Sequence, residues 1–177
     1  NTRLGAGRWV PTFPNAVYVL PRRELDQFDP KSGTVSELSP EHQIHLDSVQ
    51  PVLDAGQARI VEGDENLAEG IDLMPAPGHS PGHVAVRVRS RGEQALFSGD
   101  VLHHPIQVYY PRWNSRSCSD PDGARRTRLK ILEHCAKSGS LLLPAHFAKP
   151  HYGRIATRDG GYAFVPPATN GVSPPAP

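Results

Sequence analysis

The sequence predicts an α/β layered sandwich, on three observations. Four strand-like segments follow one another between Ala58 and Asp100: ARIVE, IDLMPA, HVAVRVRS and QALFSGD. Helical segments flank them, the clearest opened by Asp120-Pro121 and closed by Gly139. Strands mixed with helices, with adjacent antiparallel strands in the middle, bury their apolar faces by layering helices on a sheet. At 177 residues the chain has the length of one domain with a sizeable core.

AVYVL (residues 16–20) opens the predicted elements as a short strand. Pro21 follows where a helix begins, since the first turn has no use for its missing N–H, and RRELDQF continues that helix to Phe28. DPKSGTVS is a turn-rich loop. From Pro40 to Ala55, Ile44, Val49, Val52 and Leu53 mark a helix that Pro51 disturbs and Gly56 ends. In HVAVRVRS, Val84, Val86 and Val88 alternate with Ala85, Arg87 and Arg89, as a sheet with one buried face requires. SRGE is the hairpin turn to the next strand. The helix after Asp120 has that aspartate as N-cap and Pro121 at its first position. Leu129, Leu132 and Ala136, joined by Ile131 and Cys135, form its apolar stripe, and the basic run RRTRLK (125–130) is its solvated face. LLLPA (141–145) is a short buried strand, and a last strand lies near Tyr162–Val165. Residues 166–177, PPATNGVSPPAP, read as a Pro-rich disordered tail, which leaves residues 1–165 as the domain.

Charge excludes several partners. Nineteen Lys/Arg against eighteen Asp/Glu leave no long-range field to recruit nucleic acid or an anionic membrane. No apolar stretch reaches the length of a membrane span, and no export signal pattern is visible, so cytoplasm is the default compartment. Cys118 and Cys135 lack the spacing of a zinc knuckle and read as two separate thiols, although one bridge between them stays open. The chain opens Asn-Thr-Arg and its single methionine is Met74, so an upstream segment is expected.

The chemistry begins at PAPGHSPGH (75–83), where His79 and His83 stand four apart among glycines and prolines that forbid a helix. Three polar residues share one context. His79 follows IDLMPA, Asp100 ends QALFSGD and His146 follows LLLPA. Residues just past strand ends project into the crevice at one sheet edge, and a small residue precedes each of them, which lets an ion approach the backbone. Two imidazoles and a carboxylate suit zinc and similar metals. Taken singly, each of the three also fits a plain hydrogen-bonded role.

The order PAPGHSPGH, LFSGD, LPAH closely resembles the third, fourth and fifth metal-binding motifs of the metallo-β-lactamase superfamily. NTRLGAGRWVPTFPNAVYVLPRREL, FSGDVLHHPIQV and LLLPAHFAKPHYGRI are similar to its branch of lactonases and methyl-parathion-hydrolase-like enzymes. The resemblance implies the C-terminal portion of an αβ/βα four-layer sandwich. It implies His79 as a ligand of the first metal, Asp100 as the bridge between two metals and the catalytic carboxylate, and His146 as a ligand of the second. His83 has no ligand role in that pattern and is expected to pack or hydrogen-bond nearby. The family's H-x-H-x-D-H motif has no counterpart among these residues and is expected upstream of Asn1. His42 and His45, in HQIH, lack the aspartate and are expected on a solvent-facing helix, and His134 is expected at the surface.

The resemblance further implies two divalent ions, zinc first, with manganese, iron or cobalt as alternatives. A bridging hydroxide would attack a neutral ester-like small molecule: a lactone, an aryl ester or an organophosphate. Trp9, Phe13, His103 and Phe147 are candidate pocket walls. The 177 residues alone are expected to bind metal weakly and to be inactive, and homo-oligomer formation stays open. Two other classes also remain open. One is a metal-free binding protein or non-catalytic fragment. The other is thioester, sulfatase or oxidative chemistry on the same fold.

Overall fold

The computed structural model describes residues 1–33, 36 and 39–167. It is a mixed α/β structure, with a five-stranded sheet at its centre. That sheet runs in the order β5 (Asn66–Ala68), β6 (Ile71–Pro75), β7 (Val84–Ser90), β8 (Glu93–Gly99) and β9 (Leu141–Pro144). Neighbours are antiparallel except β8 and β9, which run parallel. A parallel pair needs a long return path. Here it is made by the short α4 (Ile106–Tyr109) and the 18-residue α5 (Pro121–Ser138). The β7–β8 turn holds Arg91 and Gly92 at φ 52° and 81°, the pair of positive values that a two-residue hairpin turn demands.

Smaller elements surround this sheet. β1 (Thr2–Gly5) and β2 (Arg8–Pro11) form a hairpin, and β3 (Tyr18–Pro21) pairs in parallel with β4 (Ala58–Val61). Between β3 and β4 lie α1 (Arg22–Phe28), α2 (Pro40–Ser48) and α3 (Gln50–Asp54). β10 (Arg154–Arg158) and β11 (Gly161–Val165) close the chain as a second hairpin. The helix expected from Pro40 to Ala55 is two helices, because Pro51 has no N–H to continue the hydrogen-bond ladder and the chain breaks at Val49, leaving Pro51 in the first turn of α3. β1, β2, β5, β10 and α4 had no clear sequence signal. Residues 168–177 of the predicted tail, 34 and 35 within the predicted loop, and 37 and 38 just after it lie outside the described residues.

The core lies between α5 and one face of the sheet. Leu96 of β8 stands beside Leu142 of β9, and both join Ala85, Ile131, Leu132 and Cys135 in one buried cluster. Burial pushes the Cys135 thiol up to about 12, so it behaves as a small apolar residue, and both cysteines are free. The other face carries an apolar row in register across four strands: Leu73, Val86, Phe97 and Leu143. Phe97 in this row is 46% exposed.

Helix α5 corrects two expectations. Its buried positions include Ala124, Arg128, Ile131, Leu132 and Cys135, whereas Leu129 is partly exposed. Arg128, expected on a solvated face, is completely buried. Burial lowers the pKa of its guanidinium. It is held by carbonyls instead of a carboxylate: Nε donates to Val101 O, and Nη1 donates to Pro111 O, Trp113 O and Asn114 Oδ1.

Candidate metal centre

Three segments meet at the end of the central sheet. After β6, the loop bearing His79 is tied to α5. Asp120 N–H donates to Gly78 O, Ser119 N–H to His79 O, and Thr127 Oγ1 to Pro77 O at 2.6 Å. Gly78 is required twice over, since its φ is 133° and a Cβ there would overlap the backbone of Ala124 in the first turn of α5. On its other side the loop is held by Glu24, whose carboxylate accepts from Gly82 N–H at 2.6 Å.

Asp100 leaves β8 just after Gly99, at φ 52°, where the absent Cβ makes room for the ring of His83. The Asp100 N–H donates to His83 Nε2 at 3.0 Å. Burial is the main reason that the His83 pKa is lowered, opposed by Asp100, and this favours the neutral ring that an acceptor Nε2 requires. Ala145 N–H donates to Gly99 O, which binds the end of β9 to the end of β8 and brings His146 alongside.

The result is one carboxylate between two imidazoles. Asp100 Oδ2 lies 3.3 Å from His79 Nε2, and Oδ1 lies 2.9 Å from His146 Nε2. The residue that sequence reasoning undervalued is His103. Its ring centroid is 5.0 Å from that of His79 and 5.0 Å from that of His146, on which it stacks. Burial, then His79, lowers its pKa. His79, Asp100 and His103 each offer a donor atom within 4.8 Å of the others. The Nδ1 atoms of His79 and His103 are buried and find no hydrogen-bond partner among the described residues. Imidazoles with uncommitted nitrogens around a carboxylate fit a divalent metal by donor type.

Other candidates lie elsewhere. Trp9 lines a separate cavity with Leu46 and Pro51, and Phe13 is 60% exposed. Phe147 is core, edge-on to Phe164. None of these three borders the cavity of about 510 Å³ that contains His79, His83 and Asp100. His45 does border it, and is buried, because α2 turns that residue inward while Ile44 remains exposed. The expectation that His45 faces solvent is thus corrected. His134 is half-buried on α5, with Nε2 unpartnered among the described residues.

The metallo-β-lactamase superfamily model matches residues 4–159. No curated protein matches. Among solved structures, the chain is similar to the hydrolase AbOPH of the β-lactamase superfamily, with 26% identity and a TM-score of 0.77 over 87% of this chain and 56% of that one. It is also similar to AidC, a dizinc quorum-quenching lactonase solved with a product, at 24% identity and TM-score 0.69 over 87% and 55%. A probable metal-dependent hydrolase from Staphylococcus aureus shares its fold at 18% identity and TM-score 0.65, over 86% and 53%. The chain thus spans about half the length of these solved structures.

Proposed function

The chain belongs to the metallo-β-lactamase superfamily, and on that premise we propose that it carries part of the metal centre of a hydrolase acting on an ester-like small molecule. One observation carries the reading: Asp100 directs one carboxylate oxygen to His79 and the other to His146. A carboxylate so placed has an oxygen for each of two ions, with His79 on the first and His146 on the second. The donor set favours zinc, and also suits cobalt, iron or manganese. Ions bound there would supply a water of lowered pKa and polarise the substrate's carbonyl or phosphoryl oxygen.

The protein's own work is to hold these groups still. His83 fixes the backbone at Asp100, the α5 N-terminus fixes the His79 loop, and the tie from Ala145 to Gly99 aligns His146. The cavity beside Asp100 is walled by Phe28, Ile44 and Val49 together with the carboxylates of Glu24 and Glu41, a lining that favours a neutral, largely apolar substrate over an anion. A lactone, an aryl ester or an organophosphate triester fits that description, and two of the similar structures are a hydrolase and a lactonase. His79, Asp100 and His146 make up only part of such a donor set, since a two-metal site needs about three ligands for each ion.

The test is a hydrolysis panel of lactone, aryl ester and phosphotriester, run on the protein at its full natural length. Activity should vanish on chelation and return with zinc. Hydrolysis that survives complete metal removal would overturn the proposal.

A further inference from the structure

We propose that His103 is a metal ligand, joining His79 and Asp100 so that the 177 residues by themselves hold one divalent ion. This rests on reading the site as a metal centre, and adds a donor that no motif assigns.

Three features place His103 in that role. The first is distance, since its donor atom lies within 4.8 Å of those of both His79 and Asp100. A zinc site with three protein ligands and one open position needs a trio of this kind. The second is rigidity. His103 N–H donates to Oε1 of buried Gln107 at 2.7 Å, and Gln107 Nε2 donates to Trp113 O at 2.8 Å. That same carbonyl accepts from Arg128, which also binds Val101 O on the other side of His103. A buried arginine and a buried glutamine therefore clamp the segment from both ends. A merely space-filling wall residue has no need of such a clamp. The third is the uncommitted Nδ1, buried and without a hydrogen bond among the described residues. Buried polar atoms are rarely left unpaired, so each such case calls for a ligand or an explanation.

The same geometry sets a stoichiometry. Among the described residues a second ion would find Asp100 and His146, two donors where about three are needed. The 177 residues should thus hold one ion firmly and a second weakly.

Cobalt(II) titration of the metal-free 177-residue chain tests this, followed by calorimetry and by the visible ligand-field bands. One ion per chain is expected. His103→Gln should weaken binding roughly tenfold or more, since even partners beyond the ligands cost about 10–100-fold. His104→Gln, at the exposed neighbour whose ring accepts from Ile106 N–H, should bind as the wild type does. Far-UV circular dichroism of the metal-free variants separates ligand loss from misfolding. Independently of any variant, the His103 ring protons of the cobalt-loaded wild type should show large hyperfine shifts beside those of His79. Equal affinity and spectrum in His103→Gln, or unshifted His103 protons, would overturn the assignment of His103 alone. A wild type that binds no cobalt would overturn the metal-centre reading as well.

Discussion

His83 and His79 stand four residues apart and divide their work by what each nitrogen meets. His79 Nε2 faces a carboxylate, whereas His83 Nε2 accepts the N–H of the same aspartate. A His83→Ala substitution should keep metal content near wild type while costing about 1–3 kcal/mol, the cost of leaving a buried N–H unpaired. Asp100→Asn should do the reverse, losing metal with little change in stability, because a neutral amide is a poor ligand to cations. Elemental analysis beside thermal melts separates the two. Metal loss in His83→Ala as severe as in Asp100→Asn would contradict this division. The gathering of His79, Asp100 and His146 was legible because each follows a strand end, Asp100 directly after β8, His146 just beyond β9 and His79 in the loop that leaves β6. His103 was less so, since its approach depends on a turn fixed by Gln107 and Arg128, which no local pattern encodes.

Helix α5 teaches the corresponding lesson about phase. Its ends were legible, because Asp120 accepts from Gly123 N–H and Gly139 adopts the left-handed conformation that ends a helix. Its buried face was misread at two adjacent positions, Arg128 and Leu129, where charge outweighed period. Ala124, Arg128, Ile131 and Cys135 are spaced four, three and four, which puts Arg128 on the core stripe and Leu129 off it. The hairpin at residues 2–11 and the first strand of the one at 154–165 were missed because those strands are short and rich in arginine or small residues, whereas the last strand was legible. A pH dependence also belongs to this helix. Burial, and then Arg87, lowers the pKa of His134. With a folded pKa below the unfolded value of about 6.5, the unfolded chain takes the proton first. Stability is therefore full above about pH 6.5 and is lost as pH falls through the folded value, and His83 and His103 act with the same sign. Urea midpoints should fall between pH 7.5 and 5.5, and His134→Gln should lessen that fall. An equal fall in the variant would remove His134 from this account.

The whole molecule has one finished core and one uncovered face. Burial between α5 and the sheet is continuous, but the row Leu73, Val86, Phe97 and Leu143, although buried at Leu73, carries an exposed aromatic ring at Phe97. Exposed apolar patches of this kind promote association. Phe97→Ser should reduce concentration-dependent association in sedimentation runs while costing only ~1 kcal/mol, since the ring is already half in water. Unchanged association would place the sticky surface elsewhere. Anomalous diffraction at the zinc edge from zinc-soaked crystals tests most directly whether Asp100 is the shared ligand of a metal centre. A peak bonded to Asp100 and His79 is expected. Zinc bound elsewhere, with Asp100 still paired only to histidines, would contradict it.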